Sequence, residues 1–414
     1  MADYGVVVVG AGAAGIAAGR ALKEAGASFL IVEARDRIGG RAYTVPGPDG
    51  AAIDLGCGWL HSAEENPWSN IAMDAGAAID RTPPPWMRMA VPRGAPTPKE
   101  IAATAALRAF RQHLDGAAKH GIEDQPASHF IPPGEPYAGL LDAVSTFYSG
   151  TELRNVSVRD LARFEDTGVN WRVATGYGAL IAGHGADLPV RLATPVRRID
   201  HSGPGIRVET DSGTISARAV IVTVATALLA AERIAFSPAL PDKASAAAGL
   251  PLGLADKLYL ALPDAESFTA ETRLFGSVER AETAAYHFRP FGRPLIEAYF
   301  GGAFAHQLES AGEEAFVDFA RTELAARFGA DFARCLHPVA LHRWATDKWA
   351  GGSYSCALPG HADDRAILAT PVDGRLFFAG EACSVRSYST AHGAYETGLA
   401  AAAGALAAVE SRPR

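Results

Sequence analysis

The feature that most limits what this chain can fold into lies within its first 33 residues. Val6-Val7-Val8-Val9 is an unbroken β-branched run, the pattern of a strand buried on both faces of a parallel sheet. Gly10-Ala11-Gly12-Ala13-Ala14-Gly15 follows at once. An Ala- and Leu-rich stretch over residues 16–24 then predicts a helix that Gly26 stops, and residues 28–32 predict a second strand. Glu33 closes that strand 18 residues after Gly15. This is a complete βαβ unit with the spacing of a dinucleotide site. Gly10 allows the tight turn, Gly12 lets backbone approach a pyrophosphate, and Gly15 lets helix and strand pack closely. The helix N-terminus offers free N–H groups and a positive dipole end to the phosphates. Glu33 can accept both hydroxyls of an adenosine ribose, and its charge would repel a 2′-phosphate. The expected class is therefore α/β, with a Rossmann-like nucleotide-binding domain.

With 414 residues the chain has room for two or three domains. Its 46 acidic and 38 basic residues leave a net charge of −8. That disfavours a nucleic-acid binder, which needs a basic face, and is compatible with a cationic ligand. Cys57, Cys335, Cys356 and Cys383 form no CxxC, so no metal site is expected. Few scattered thiols, no leader-like start and no apolar run of about 18 residues predict a cytoplasmic protein without a membrane anchor. Monomer and homodimer are equally compatible with the sequence.

Glu33-Ala34-Arg35-Asp36-Arg37-Ile38-Gly39-Gly40-Arg41 comes next. This ExRxRxGGR segment resembles the flavin-containing amine oxidases. Physically, Gly39-Gly40 is backbone able to lie against a phosphate or the flavin, with Arg41 a fixed cation beside it. Four further segments carry the resemblance. Phe378-Ala379-Gly380-Glu381, with Thr390-Ala391-His392-Gly393-Ala394 downstream, is similar to the C-terminal flavin motif, and most so to the polyamine oxidase and histone demethylase branch. Gly253-Leu254-Ala255-Asp256-Lys257 resembles the family's G-x-x-x-K segment, whose lysine holds a water near flavin N5. Trp344 to Tyr354 resembles W-x-x-x-x-W-x-x-G-S-Y, which makes Trp349 and Tyr354 aromatic walls able to orient an amine by cation–π attraction. Trp59-Leu60-His61 places a histidine, with an ordinary pKa near 6.5, where some polyamine oxidases keep one beside the substrate amine.

The resemblance implies FAD as cofactor. It implies contacts from Gly10, Gly12, Ala14, Gly15, Glu33, Ala34, Arg35, Gly40, Arg41, Gly58, Trp59, Val196, Trp349, Gly380, Glu381, Thr390 and Ala391. Val196 would contact adenine through its main chain, Glu381 would bind ribityl hydroxyls, and Thr390 to Gly393 would bring a helix N-terminus to the flavin's pyrimidine edge. The implied catalytic set is Lys257, Tyr354, Trp349, His61 and Thr390. In covalent monoamine oxidases a cysteine carries the flavin where this chain has Ser353, so non-covalent FAD is expected. Thr390 stands where those enzymes have a second aromatic wall, which fits a polyamine-type relative better. The expected reaction removes a hydride equivalent from the α C–H of a neutral amine to flavin N5. The imine hydrolyses to an aldehyde or ketone, and O2 is reduced to H2O2. Two alternatives stay open, namely a non-amine substrate on the same fold (a desaturase, porphyrinogen or amino-acid oxidase type) and an FAD-binding protein without turnover.

Residues 1–80, 175–235 and 366–414 are expected to form the FAD domain, and 81–174 with 236–365 the substrate-binding one. Pro83, Pro84, Pro85, Pro92, Pro96 and Pro98 mark the first excursion. Helix is expected over 99–120 and 138–165, and strand-like sequence from Gly176. A hairpin is expected across Asp211-Ser212-Gly213, followed by a separate strand over 219–224.

Overall fold

The computed structural model describes residues 3–88, 90–119 and 123–410. The opening strand runs Tyr4–Val9 and lies between two parallel neighbours, Phe29–Val32 and the second half of Gly213–Val222. Val190–Arg191 extends the sheet beyond Phe29–Val32, and Leu376–Phe378 pairs in parallel with Val220–Val222. Alternate side chains of the opening strand enter different cores. Val6 and Val8 pack with Ile16, Leu22 and Ala402, while Val7 and Val9 pack with Val208, Leu250 and Leu368. Burial on both faces is why the run has no polar interruption.

Gly213–Val222 unites two expected elements in one strand. Its first half pairs antiparallel with Ile206–Thr210 and its second half parallel with the opening strand. Ala13–Glu24 crosses one face of the sheet, and the C-terminal helix Ala391–Glu410 packs along it. Their contact is backbone-close, since a Cβ on Gly398 would lie 2.2 Å from the Ala14 carbonyl oxygen.

A second, antiparallel sheet has the order Thr272–Phe275, Ala285–Phe288, Leu295–Gly301, Ala255–Ala261, His337–Leu341. One face carries Leu258, Leu274, Tyr286, Ile296 and Phe300 into a core closed by Phe316 and Leu324 of the Glu313–Phe328 helix. The opposite face looks toward the nucleotide half.

The first excursion is helical. Pro98–Lys119 matches the expected helix, with residue 120 outside the described residues. The expectation over 138–165 is corrected. Ala138–Ser149 ends at left-handed Gly150 (φ +69°), which meets the backbone of Gly253; a single 3-10 turn, Leu153–Asn155, follows, and α-helix resumes only at Val158–Arg163. Residues 177–184 are also helix, entered through Gly176, where strand-like sequence was expected. Tyr177 and Ile181 bury there against Trp68 and Ile16. The excursion is pinned to the C-terminal part by a fully buried fork, with Arg365 Nε and Nη2 donating to Asp160 at 2.7 and 2.8 Å. Among the described residues no helix is long and apolar enough to cross a membrane.

Candidate active site

A single cavity of 1480 Å³ runs from the glycine turn to the second sheet. Typical small-ligand sites reach about 1,000 Å³, so this one has room for a dinucleotide and a substrate together. Of the residues expected to contact the cofactor or to act in catalysis, only Gly15 does not line it. A Cβ on Gly15 would lie 1.9 Å from the Gly10 carbonyl oxygen and 3.2 Å from Thr223 Oγ1. Its place is behind the turn, holding the turn's shape.

At the nucleotide end, Gly12, Ala13 and Ala14 line the cavity, and no side chain caps the helix at Gly12. Its first N–H groups are therefore available to a phosphate. The second glycine pair lies directly against this turn. Gly39 N–H donates to the Ala11 carbonyl, and a Cβ on Gly40 (φ +60°) would lie 3.1 Å from Gly12 Cα. Glu33 is held by backbone N–H groups of Ala11 (2.7 Å) and Arg35 (2.8 Å). Ala34 follows it on the cavity wall, and Val196 lines the far end beside Thr194 and Pro195. This cradle fits a bound FAD: open amides at the phosphates, a carboxylate at the ribose and a peptide edge at the adenine.

Two arginines carry this half across to the next. Arg35 Nη1 reaches Asp347 at 2.7 and 3.0 Å, and Asp347 also accepts from Trp349 N–H at 2.9 Å. Arg41 Nη1 donates to the Ser353 carbonyl and to Glu381 Oε1, each at 2.9 Å. Glu381 accepts in addition from Ser355 Oγ (2.6 Å) and Ser389 N–H (3.0 Å). Burial opposes its charge, but Arg41, Ser355 and Arg365 hold it below the usual carboxylate range. Thr390 caps the C-terminal helix, accepting from Gly393 N–H at 3.0 Å and donating to the Ser387 carbonyl at 2.6 Å. Thr390, Ala391 and Gly380 line the cavity, so that capped helix end faces it.

Lys257 is buried on Ala255–Ala261, which lies between Leu295–Gly301 and the edge strand His337–Leu341 of the second sheet. Its Nζ lies 3.2 Å from Glu297 Oε1 and donates to the Asp54 carbonyl at 3.1 Å. Gly58 leaves the ammonium its room, since a Cβ there would be 3.2 Å from Nζ. Burial pulls the lysine pKa down, yet Glu297, Tyr299 and Asp54 outweigh it and the net shift is upward. Glu297 is in turn held down at about 2, against burial, by Lys257 and His287. The pair is ionised.

Tyr354 OH donates to the Phe147 carbonyl at 2.5 Å and lies 3.3 Å from Tyr299 OH. Trp349 and Tyr354 both face the cavity, as do Trp59 and Trp86, whose rings meet edge to face at 4.6 Å. His61 Nδ1 contacts Asn170 Oδ1 at 2.5 Å, and Asn170 Nδ2 donates to the Gly168 carbonyl, which fixes the amide's orientation. Nδ1 therefore carries the proton and Nε2 is an acceptor. Burial lowers the ring's pKa, so the imidazole is neutral at pH 7. The Cys57 thiol also lines the cavity, but burial pushes it up to about 12 and it stays protonated.

The cavity also has a polar floor that sequence reasoning missed. Glu297, Tyr299, His287 and Arg273 line it from the second sheet. His287 Nε2 meets Glu271 at 2.8 Å and its Nδ1 faces Glu297 at 3.7 Å. Glu271 continues to Arg172 (2.6 Å), which also holds Asp80 (2.5 Å). The available signal was the alternation Ile296-Glu297-Ala298-Tyr299-Phe300, in which one face is polar. Among the described residues no group of His, Cys, Asp or Glu could hold a metal ion.

The family model for flavin containing amine oxidoreductases matches residues 13–406. Polyamine oxidase 4 of Oryza sativa subsp. japonica is 30% identical, over 96% of this chain and 87% of that protein. The Lysine-specific histone demethylase 1 homolog 1 of the same organism is 30% identical over 99% of this chain, which spans 53% of that longer protein. A solved putrescine oxidase double mutant, redesigned in cofactor binding, superposes with a TM-score of 0.76 at 19% identity, covering 98% of this chain and 99% of that one.

Proposed function

Because this chain belongs to the flavin-containing amine oxidoreductase family, whose cofactor is FAD, we propose that it oxidises a C–N bond of a small-molecule amine, with dioxygen as final acceptor. One observation carries the reading. The glycine turn and Glu33 stand at one end of a continuous cavity, and Lys257, Trp349, Tyr354 and His61 stand further along it.

In this reading the amides at Gly12–Ala14 hold the pyrophosphate, Glu33 the ribose and the peptide at Val196 the adenine. Arg41, Gly380 and the capped helix end at Thr390–Ala391 adjoin the flavin. FAD, when bound without a covalent link, supplies the two-electron redox centre. The chain supplies the rest. Trp349 and Tyr354 confine and orient the amine through their ring faces. An amine must lose its extra proton before its lone pair can assist C–H cleavage. His61, neutral and with Nε2 free to accept, takes that proton. Lys257 holds a permanent positive charge that favours the reduction of dioxygen to peroxide beside it. Ser353 cannot form a thioether, and its Oγ is engaged with Ala255, donating to the carbonyl at 2.8 Å and accepting from the N–H at 2.9 Å.

The test is anaerobic mixing of the FAD-loaded protein with a panel of amines. Bleaching of the flavin, then recovery with one peroxide per turnover in air, is expected. A flavin that no amine bleaches rejects the proposal.

A further inference from the structure

The cavity floor is set by strand register. Tyr259 pairs with Glu297, Glu297 with His287 and His287 with Arg273; one step along, Lys257 pairs with Tyr299, Tyr299 with Ala285 and Ala285 with Phe275. Side chains alternate along a strand, so all eight share one face. Lys257, Glu297, Tyr299, Ala285, His287 and Arg273 of this set line the cavity.

The charges on this face are unevenly matched. Glu297 is engaged by Lys257 and His287, and Glu271 by His287 and Arg172. Arg273 has, among the described residues, no ion-pair or hydrogen-bond partner. Its guanidinium lies over the Phe275 ring at 4.5 Å, and burial pulls its pKa down. The Pro98–Lys119 helix adds Arg108 and Arg111 to the wall, with Asp115 as its single carboxylate there. Asp166 lines another part of the cavity, in the segment next to His61's partner Asn170. A second ammonium reaching toward Arg273 would meet a cation, and on the helix wall two arginines against the one carboxylate of Asp115.

We propose that the site takes an amine bearing an anionic group, in the simplest case a carboxylate, bound by the Arg273 guanidinium at the end of the floor remote from Lys257. This rests on the amine-oxidase reading above and names its substrate class. Three strand spacings separate Lys257 from the Arg273 strand, on the order of 15 Å between backbones. An α-amino acid, with its carboxylate beside the reacting carbon, does not span that. An ω-amino carboxylate with a chain of several carbons does. A guanidinium suits this task, since its fork meets a carboxylate through two parallel hydrogen bonds.

The experiment compares three probes of equal chain length on FAD-loaded protein: the ω-amino carboxylate, the diamine and the unsubstituted alkylamine. Anaerobic flavin reduction is expected to be most efficient with the amino carboxylate, by about 10-fold or more. Arg273→Gln is expected to cost that probe about 100-fold while leaving the alkylamine within about 3-fold, and Arg273→Glu to move the preference to the diamine. A wild-type preference for the diamine overturns this proposal alone. So does an equal loss on all three probes in Arg273→Gln, which marks a structural arginine. Reduction by none of the three in any chain length overturns the amine-oxidase reading, and this proposal with it.

Discussion

Lys257 Nζ sits 3.2 Å from Glu297 Oε1, with the lysine buried and the glutamate largely so in the wall of the cavity. Burial pulls the ammonium's pKa down, and the carboxylate is the largest of the groups that push it back up. Replacing Lys257 by Met removes the positive charge and leaves the protein's fold-determining backbone pairing intact. Reoxidation of the reduced flavin by O2 is expected to slow about 100-fold, with a smaller effect on reduction by amine. Stopped-flow measurement of the two half-reactions checks this. Glu297→Gln is expected to leave the ammonium in place at low pH but let it titrate, so reoxidation becomes pH-dependent at alkaline pH.

His287 lies between Glu271 and Glu297. Burial disfavours its charge, but the two carboxylates prevail and its pKa lies above the ordinary value. A histidine raised in the folded state stabilises fully below its unfolded pKa, about 6.5. That contribution fades as pH climbs through the folded value. His287→Gln is therefore expected to destabilise by about 2 kcal/mol near pH 6, and by progressively less toward alkaline pH. Melting curves of both proteins across that range check the sign; a gap that widens with pH would refute it.

Gly398 faces the Ala14 carbonyl oxygen so closely that any Cβ must move the helix. Gly398→Leu is expected to push Ala391–Glu410 off Ala13–Glu24, costing about 3 kcal/mol and displacing the Thr390 cap from the cavity. A lower melting temperature and less flavin absorbance per mole of purified protein are the readouts.

Ser353 offers no thiol at the cavity wall. Unfolding the loaded protein in acid is expected to release all of the yellow colour to the supernatant. Colour retained in the precipitate would show a covalent attachment at some other residue.

The nucleotide half was legible because its signal is local. Gly10, Gly12, Gly15 and Glu33 act within one βαβ unit, and their spacing alone orders them around the turn. That Lys257, Trp349 and Tyr354 share one cavity was legible by resemblance, each lying inside a short segment. Glu297, His287 and Arg273 were not, because their meeting depends on register between strands joined by loops, and no local spacing encodes that. The placement of Thr390 was half legible. Its segment could be recognised, but that its hydroxyl is consumed in capping Gly393 depends on where the helix begins. The Gly213–Val222 strand was read as two pieces because it changes neighbours midway while its backbone continues.

The arginines that follow the second strand of the nucleotide fold do not end their work there. Arg35 fastens the Asp347 turn and Arg41 the carbonyl of Ser353, so the aromatic wall is anchored by residues more than 300 positions earlier in the chain. The two halves are thus poor interchangeable modules. A chimaera that imported the 236–365 stretch from a relative would arrive with its tryptophan segment unmoored unless the donor's counterparts of Arg35 and Arg41 came with it. Recombination among such enzymes must carry these distant pairs as one unit of inheritance.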